Sequence, residues 1–124
     1  MRTIKFRAQD IASNKWLFGD IRHHKNDVCI FEQGGNKGEQ VKPETVGQFT
    51  GLHDKHGHEI YEGDILLYNG IRRAVEWKYG TFGLSMHENG FPFQAFYELP
   101  VPIVDSTVVG NIHDNPELLK GGEQ

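Results

Sequence analysis

A single cysteine, Cys29, stands among 124 residues, so the chain can form no internal disulfide. It lies in the apolar run Val28-Cys29-Ile30-Phe31 and reads as a small buried hydrophobe rather than a reactive thiol. A chain without paired cysteines suits a reducing cytoplasm. No apolar run approaches the ~18 residues that a membrane helix needs, so no membrane partner is expected. The opening Met1-Arg2-Thr3-Ile4-Lys5-Phe6-Arg7 is too polar and too regularly alternating for a secretory signal. The expected location is the cytoplasm. Positive charge is not in excess either. The formal net charge is -4 with seven neutral histidines, which gives no global attraction to nucleic acid or anionic lipid.

Motifs of catalysis are also missing. There is no Gly-x-Ser-x-Gly elbow, and Ser13, Ser85 and Ser106 sit in ordinary strand or loop settings. The glycine-rich stretch Gly34 to Gly38 lacks a Gly-Lys-Ser/Thr ending and no helix follows it, so it is not a phosphate loop. Carboxylates are plentiful, but no spacing sets two of them across a cleft. The sequence therefore points away from an enzyme and calls for no cofactor.

Glycine is what the chain has in plenty. Fifteen glycines make up about 12% of it, against a usual share of about 7%. They fall between short apolar stretches, the pattern of many strands joined by tight turns. Thr3 to Gln9 alternates, with Ile4, Phe6 and Ala8 on one side and Lys5, Arg7 and Gln9 on the other. Trp16 to Ile21 and Val28 to Phe31 read as two more strands, with His23-His24-Lys25 at a polar hairpin tip. Pro43 opens one helical turn. Asp54 to Gly57 is a turn, and Asn69-Gly70 is a strong two-residue hairpin signal. Arg73, Val75, Trp77 and Tyr79 alternate with Ala74, Glu76 and Lys78. Gly80-Thr81 and Asn89-Gly90 turn the chain again. Phe91, Phe93, Ala95, Tyr97 and Leu99 are spaced by two, as in a strand with Pro92 at its edge. Thr107 to Ile112 is a last strand. Asn115-Pro116 then opens a short C-terminal helical turn.

These elements predict a mainly β fold with few or no long helices. A length of 124 residues suits one domain. The join near Phe49 divides it into an N-terminal β subdomain, 1–48, and a C-terminal part, 49–124. The closely spaced strands of the second part suit a small SH3-like barrel, which closes its own edges.

Three blocks carry a family resemblance. The first is Ile4-Lys5-Phe6-Arg7-Ala8. The second is Phe49-Thr50-Gly51-Leu52, then Asp54, Gly57, and Ile60-Tyr61-Glu62-Gly63-Asp64-Ile65. The third is Val109-Gly110-Asn111-Ile112, then Asn115-Pro116-Glu117-Leu118-Leu119. Together, and in this order, they resemble the start, centre and end of a YopX-like protein. The resemblance implies an SH3-type barrel and a gene carried by a phage, a prophage or a similar mobile element. It brings no catalytic residue and no established molecular role. Gln9 and His113 depart from it, standing where tryptophan and tyrosine are common. Physically, the matched glycines suit positive φ or close backbone approach, and Asp54, Asp64 and Thr50 can bond backbone groups in turns.

Three functional readings follow. The leading one is a non-enzymatic binding or assembly module. The chain has eight Phe, four Tyr and two Trp, generous for one small core, so some rings can serve an interface. Phe91, Phe93, Phe96 and Tyr97 are the interface candidates, against the alternative that both faces of their strand are buried in the monomer. Homo-oligomers and phage or host proteins are the expected partners. The second reading is a nucleic-acid-binding barrel using Arg7, Arg73, Trp77, Lys78, Tyr79 and Phe82, which combine charge with rings. Against it, Val75 and Trp77 share a face that can fill the core, and the acidic total lacks a basic footprint. The third is a metal-dependent enzyme built on His53, His56 and His58. A solvated turn explains those histidines more simply, because short His-rich tracts often bind metal adventitiously. His23 and His24, as strand neighbours, point to opposite faces and share no site.

Overall fold

The protein is described from a computed structural model. It describes residues 3–32, 35–88 and 91–121, and of residues 86–88, 91, 92 and 121 the backbone alone. The chain divides into two compact units, Met1–Phe49 and Thr50–Gln124. Both are built from antiparallel ladders, so the mainly β reading holds. The Asn89-Gly90 turn and Gly34 lie outside the described residues.

In the first unit, β1 (Phe6–Gln9), β2 (Trp16–His24), β3 (Asp27–Glu32) and β4 (Gly38–Gln40) run in the order β4-β3-β2-β1, and β5 (Gly47–His53) pairs with β1 through Gly47 and Gln48. The turn between β2 and β3 holds Lys25 at φ 56°. The alternation read from the sequence sets the core. Ala8, Val28, Ile30 and Val41 are buried together, with Phe6, Leu17, Ile21 and Val46 against them. Ile4 departs from its expected inward place and is exposed, because β1 starts only at Phe6. Arg7 departs the other way. It is buried, with its guanidinium 4.8 Å from the centre of the Trp16 ring. Pro43 opens a single 3-10 turn, as its fixed φ favours.

In the second unit, the later part of β5 pairs with β6 (Glu59–Tyr61). The strands β7 (Asp64–Tyr68), β8 (Ile71–Lys78), β9 (Thr81–Glu88), β10 (Phe91–Ala95) and β11 (Thr107–Asn111) form a sheet in the order β10-β9-β8-β7-β11. Asn69-Gly70 joins β7 to β8 with both residues at positive φ, the turn that its sequence demands. Among the described residues no ladder joins β10 to β11. Its core gathers Ile60, Leu66, Tyr68, Val75, Leu84 and Ile103. The Tyr68 hydroxyl donates to the Val101 carbonyl and accepts from the Val101 N–H, which pins the loop ahead of β11.

The strand expected from Phe91 to Leu99 stops at Ala95, where residues Phe96–Glu98 turn into a 3-10 helix. The Glu98 carboxylate accepts the Ala95 N–H at 3.0 Å and fixes that break. The chain ends in a short helix, α1 (Glu117–Gly121). No helix among the described residues is long and apolar enough to cross a membrane.

Gly83 in β9 shows how tightly β10 is seated. A Cβ there would meet the Gln94 carbonyl oxygen at 2.4 Å and the Phe93 ring at 2.5 Å. Gly83→Ala is expected to lower stability by about 1–3 kcal/mol, as overpacking does. The urea midpoint reads this; an unchanged midpoint shows that Phe93 is not seated on Gly83.

Candidate functional site

β8 and β9 reach beyond the core as a two-stranded ribbon. The core ends at the pair Val75 and Leu84, and the next residue pairs lie outside it. Trp77 therefore leaves the core that its alternation predicts and is 49% exposed. Its cross-strand partner is Phe82, with ring centres 4.7 Å apart and edge to face, the geometry that ring quadrupoles favour. Tyr79 and Gly80 make the turn, both at positive φ. Tyr79 is 85% exposed, and its ring meets Phe93 at 5.8 Å. By strand alternation, the Phe93 ring over Gly83 lies on the face of the hairpin opposite Trp77 and Phe82. Beside them the exposed Lys78 pairs at 3.5 Å with the half-buried Glu76.

The structure thus brings Trp77, Lys78, Tyr79 and Phe82 together at one hairpin end, where Phe93 meets Tyr79 from the face opposite Trp77 and Phe82. It places the other candidates elsewhere. Arg73 is buried and donates to the Ser85 carbonyl at 3.2 Å. Arg7 belongs to the first unit, against Trp16. Phe96 packs on the core of the second unit, whereas Tyr97 is 80% exposed. The Phe91 side chain lies outside what the structure describes. Sequence reading missed three cation–ring contacts in the first unit. Lys5 lies 5.5 Å from the Phe49 ring centre, Arg7 4.8 Å from Trp16 and Arg22 4.5 Å from Phe31. The period-two series Trp16, Phe18, Asp20, Arg22, His24 was the signal for the last two, since it sets Trp16 and Arg22 on one face of β2.

The histidine turn has a different organisation. Asp54 is buried, and its carboxylate accepts the N–H groups of His56, His58 and Val108, each at 2.9 Å. Its second oxygen also meets His58 Nδ1 at 3.2 Å. Burial pushes the Asp54 carboxyl up, but the N–H donors of Val108, His58 and His56, with the His58 ring, outweigh it and hold it far below the usual carboxylate range. Among the described residues, no three His, Cys, Asp or Glu side chains gather where they could hold a metal ion. The carboxylate is committed to closing the turn.

A model of the YopX protein family matches residues 5–120. The chain belongs to the YopX family. It is similar to protein EF1440 from Enterococcus faecalis, whose crystal structure matches with a TM-score of 0.55 and 26% identity, over 96% of this chain and 99% of that one. A comparison with curated proteins gives no match.

The residues that carry the YopX resemblance are chiefly those that lock turns. Thr50 Oγ1 donates to the Ile60 carbonyl across β5 and β6. Asp64 accepts the Tyr61 N–H at 2.7 Å, which closes the Glu62-Gly63 turn with Gly63 at φ 93°. The Gly63 carbonyl in turn accepts from Ile112. Asn111 Oδ1 accepts from His113 and Asp114, and Asn115 Oδ1 accepts from Asn111. A Cβ at Gly110 would meet that Asn115 oxygen at 2.6 Å. Asn115 is thus spent on β11 rather than on capping α1.

Two measurements check the Asp54 assignment. Asp54→Ala is expected to lose about 3 kcal/mol, since it strands buried donors. The pH effect has a fixed sign. The folded-state pKa lies below the unfolded value, so this stabilisation is complete above the ordinary carboxylate range and is lost as pH falls below it. Melting temperature should drop from about pH 5 towards pH 2, with a shallower drop in Asp54→Asn. Equal slopes in the two proteins contradict the assignment. Excess EDTA at neutral pH is expected to leave the melting temperature unchanged.

Proposed function

We propose that this YopX-family chain is a non-enzymatic binding and assembly module that makes its contacts through the aromatic end of the β8–β9 hairpin. Its setting is the cytoplasm, on a phage or prophage-type element. The lone Cys29 fits a reducing compartment. The phage setting rests on the family. We read the chain as one domain of two β subdomains, the second of SH3-like type. The strand order β10-β9-β8-β7-β11, with a 3-10 turn at Ile103–Asp105 just ahead of β11, supports that reading.

Tyr79 carries the functional proposal. It is a bulky residue at φ 55° with 85% of its surface exposed. An L-residue in the left-handed region costs roughly 1–2 kcal/mol. Asparagine or glycine would relieve this strain, as in the Asn69-Gly70 turn of the same sheet. An exposed ring kept at a strained position is a hint of function rather than of folding. Trp77 and Phe82 on one face of the hairpin and Phe93 on the other flank Tyr79, and aromatic rings are enriched where proteins meet. The exposed Tyr97 is a further contact residue in this reading. The partner proposed is a second copy of the chain.

Light scattering across a concentration series tests this. The wild-type mass is expected to rise with concentration, and Trp77→Ser is expected to abolish the rise. Tyr79→Asn restores an Asn-Gly turn, so it should hold or raise stability while association falls. A strictly monomeric wild type at about 1 mM, the weak end of specific association, overturns the proposal.

A further inference from the structure

The net charge of -4 is unevenly divided. The first unit, Met1–Phe49, has eight Lys and Arg against six Asp and Glu, a net of +2. The second, Thr50–Gln124, has five against eleven, a net of -6. The basic unit also places cations on rings. Strand β2 alternates, with Leu17 and Ile21 packed on the core. Trp16, Phe18, Asp20, Arg22 and His24 share its other face. Phe31 joins that face, because it pairs with Asp20 across β2 and β3. Phe18 is 42% exposed, Arg22 is exposed, and Trp16 and Phe31 are half-buried.

The rings are held in place. A Cβ at Gly38 would meet the Phe31 ring at 2.5 Å, so Phe31 lies over a glycine on the neighbouring strand. The Arg22 guanidinium is 4.5 Å from the centre of the same ring. A cation held on a ring keeps its charge outward with little freedom left to lose. Its plane is itself a platform on which a base can stack. Alternate side chains on a strand recur at roughly 6.4–6.8 Å, far enough apart to seat separate bases.

We propose that this face of the first unit binds single-stranded nucleic acid, with one base stacked on the exposed Phe18 ring, the next on the Arg22 guanidinium that covers Phe31, the N–H edge of that guanidinium at the phosphates and Trp16 beside the bound strand. An exposed ring beside a ring-held cation suits a polyanion whose every unit offers a π face. A duplex hides those faces by stacking them internally. Asp20, between Phe18 and Arg22 on the same face, opposes the strand.

The test uses full-length protein carrying Trp77→Phe, which leaves Trp16 as its one tryptophan. Titration with oligo(dT) of about 20 nucleotides, longer than one small β-fold's footprint, is expected to quench Trp16 at low salt. Phe18→Ala and Arg22→Gln should each weaken binding at least about fivefold. Arg22→Gln should also flatten the log affinity against log salt slope by about 0.7, the share of one phosphate on a single strand. Asp20→Asn should tighten binding. Tyr79→Asn should leave it unchanged, which separates this site from the hairpin patch. No binding at low salt overturns the proposal, as does equal affinity for a duplex of the same length. Binding that is insensitive to both Phe18→Ala and Arg22→Gln overturns it too.

Discussion

The Asp54 carboxylate is the constraint on which most of the second unit depends. It draws the N–H groups of His56 and His58 into one turn and reaches Val108 at the start of β11. Lys55 adds a backbone bond to the Ser106 carbonyl at the same junction. Two segments far apart in sequence are thereby fixed to one charged side chain. A buried carboxylate is expensive unless its oxygens are filled, and here backbone donors fill them. The turn needs the main chain at position 56, whereas His58 adds its ring Nδ1, 3.2 Å from the carboxylate, to its main-chain bond. His56 and His58 are exposed.

Glycines and rings carry a second theme. Phe93 lies over Gly83 in the second unit, and Phe31 lies over Gly38 in the first. In each case a strand gives up its side chain so that a ring from its neighbour can cover the gap. The device pins register where a sheet needs it. It also leaves aromatic surface near solvent. Tyr79 meets Phe93 and Arg22 meets Phe31. The same rings that hold strands together thus supply the two surfaces proposed for binding.

Much of this was legible from local chemistry. Asn69-Gly70 announced its turn, Pro43 its 3-10 helix, and the spacing of Ala8, Val28 and Ile30 their shared core. Errors arose where tertiary geometry overrode a period. Trp77 shares a face with Val75, but the core stops one pair earlier and leaves it exposed. Phe91 to Leu99 keeps a period of two past Ala95, where Glu98 bends the chain instead. Arg7 alternates outward as a strand residue should, yet it is buried against Trp16. Periodicity names a face; it does not say how far the core extends or what covers the other side.

Net charge is a coarse guide for a related reason. A total of -4 argues against nucleic acid only if charge is spread evenly over the chain. Within the first unit the balance is +2, and Arg7 and Arg22 each meet a ring there. Screening confines the field of exposed charges to about 8–10 Å at physiological salt. A ligand on the β2 face therefore responds mainly to Arg22, Asp20 and their immediate neighbours. The sign at a binding surface belongs to the residues that line it, and a sum over the whole sequence hides it.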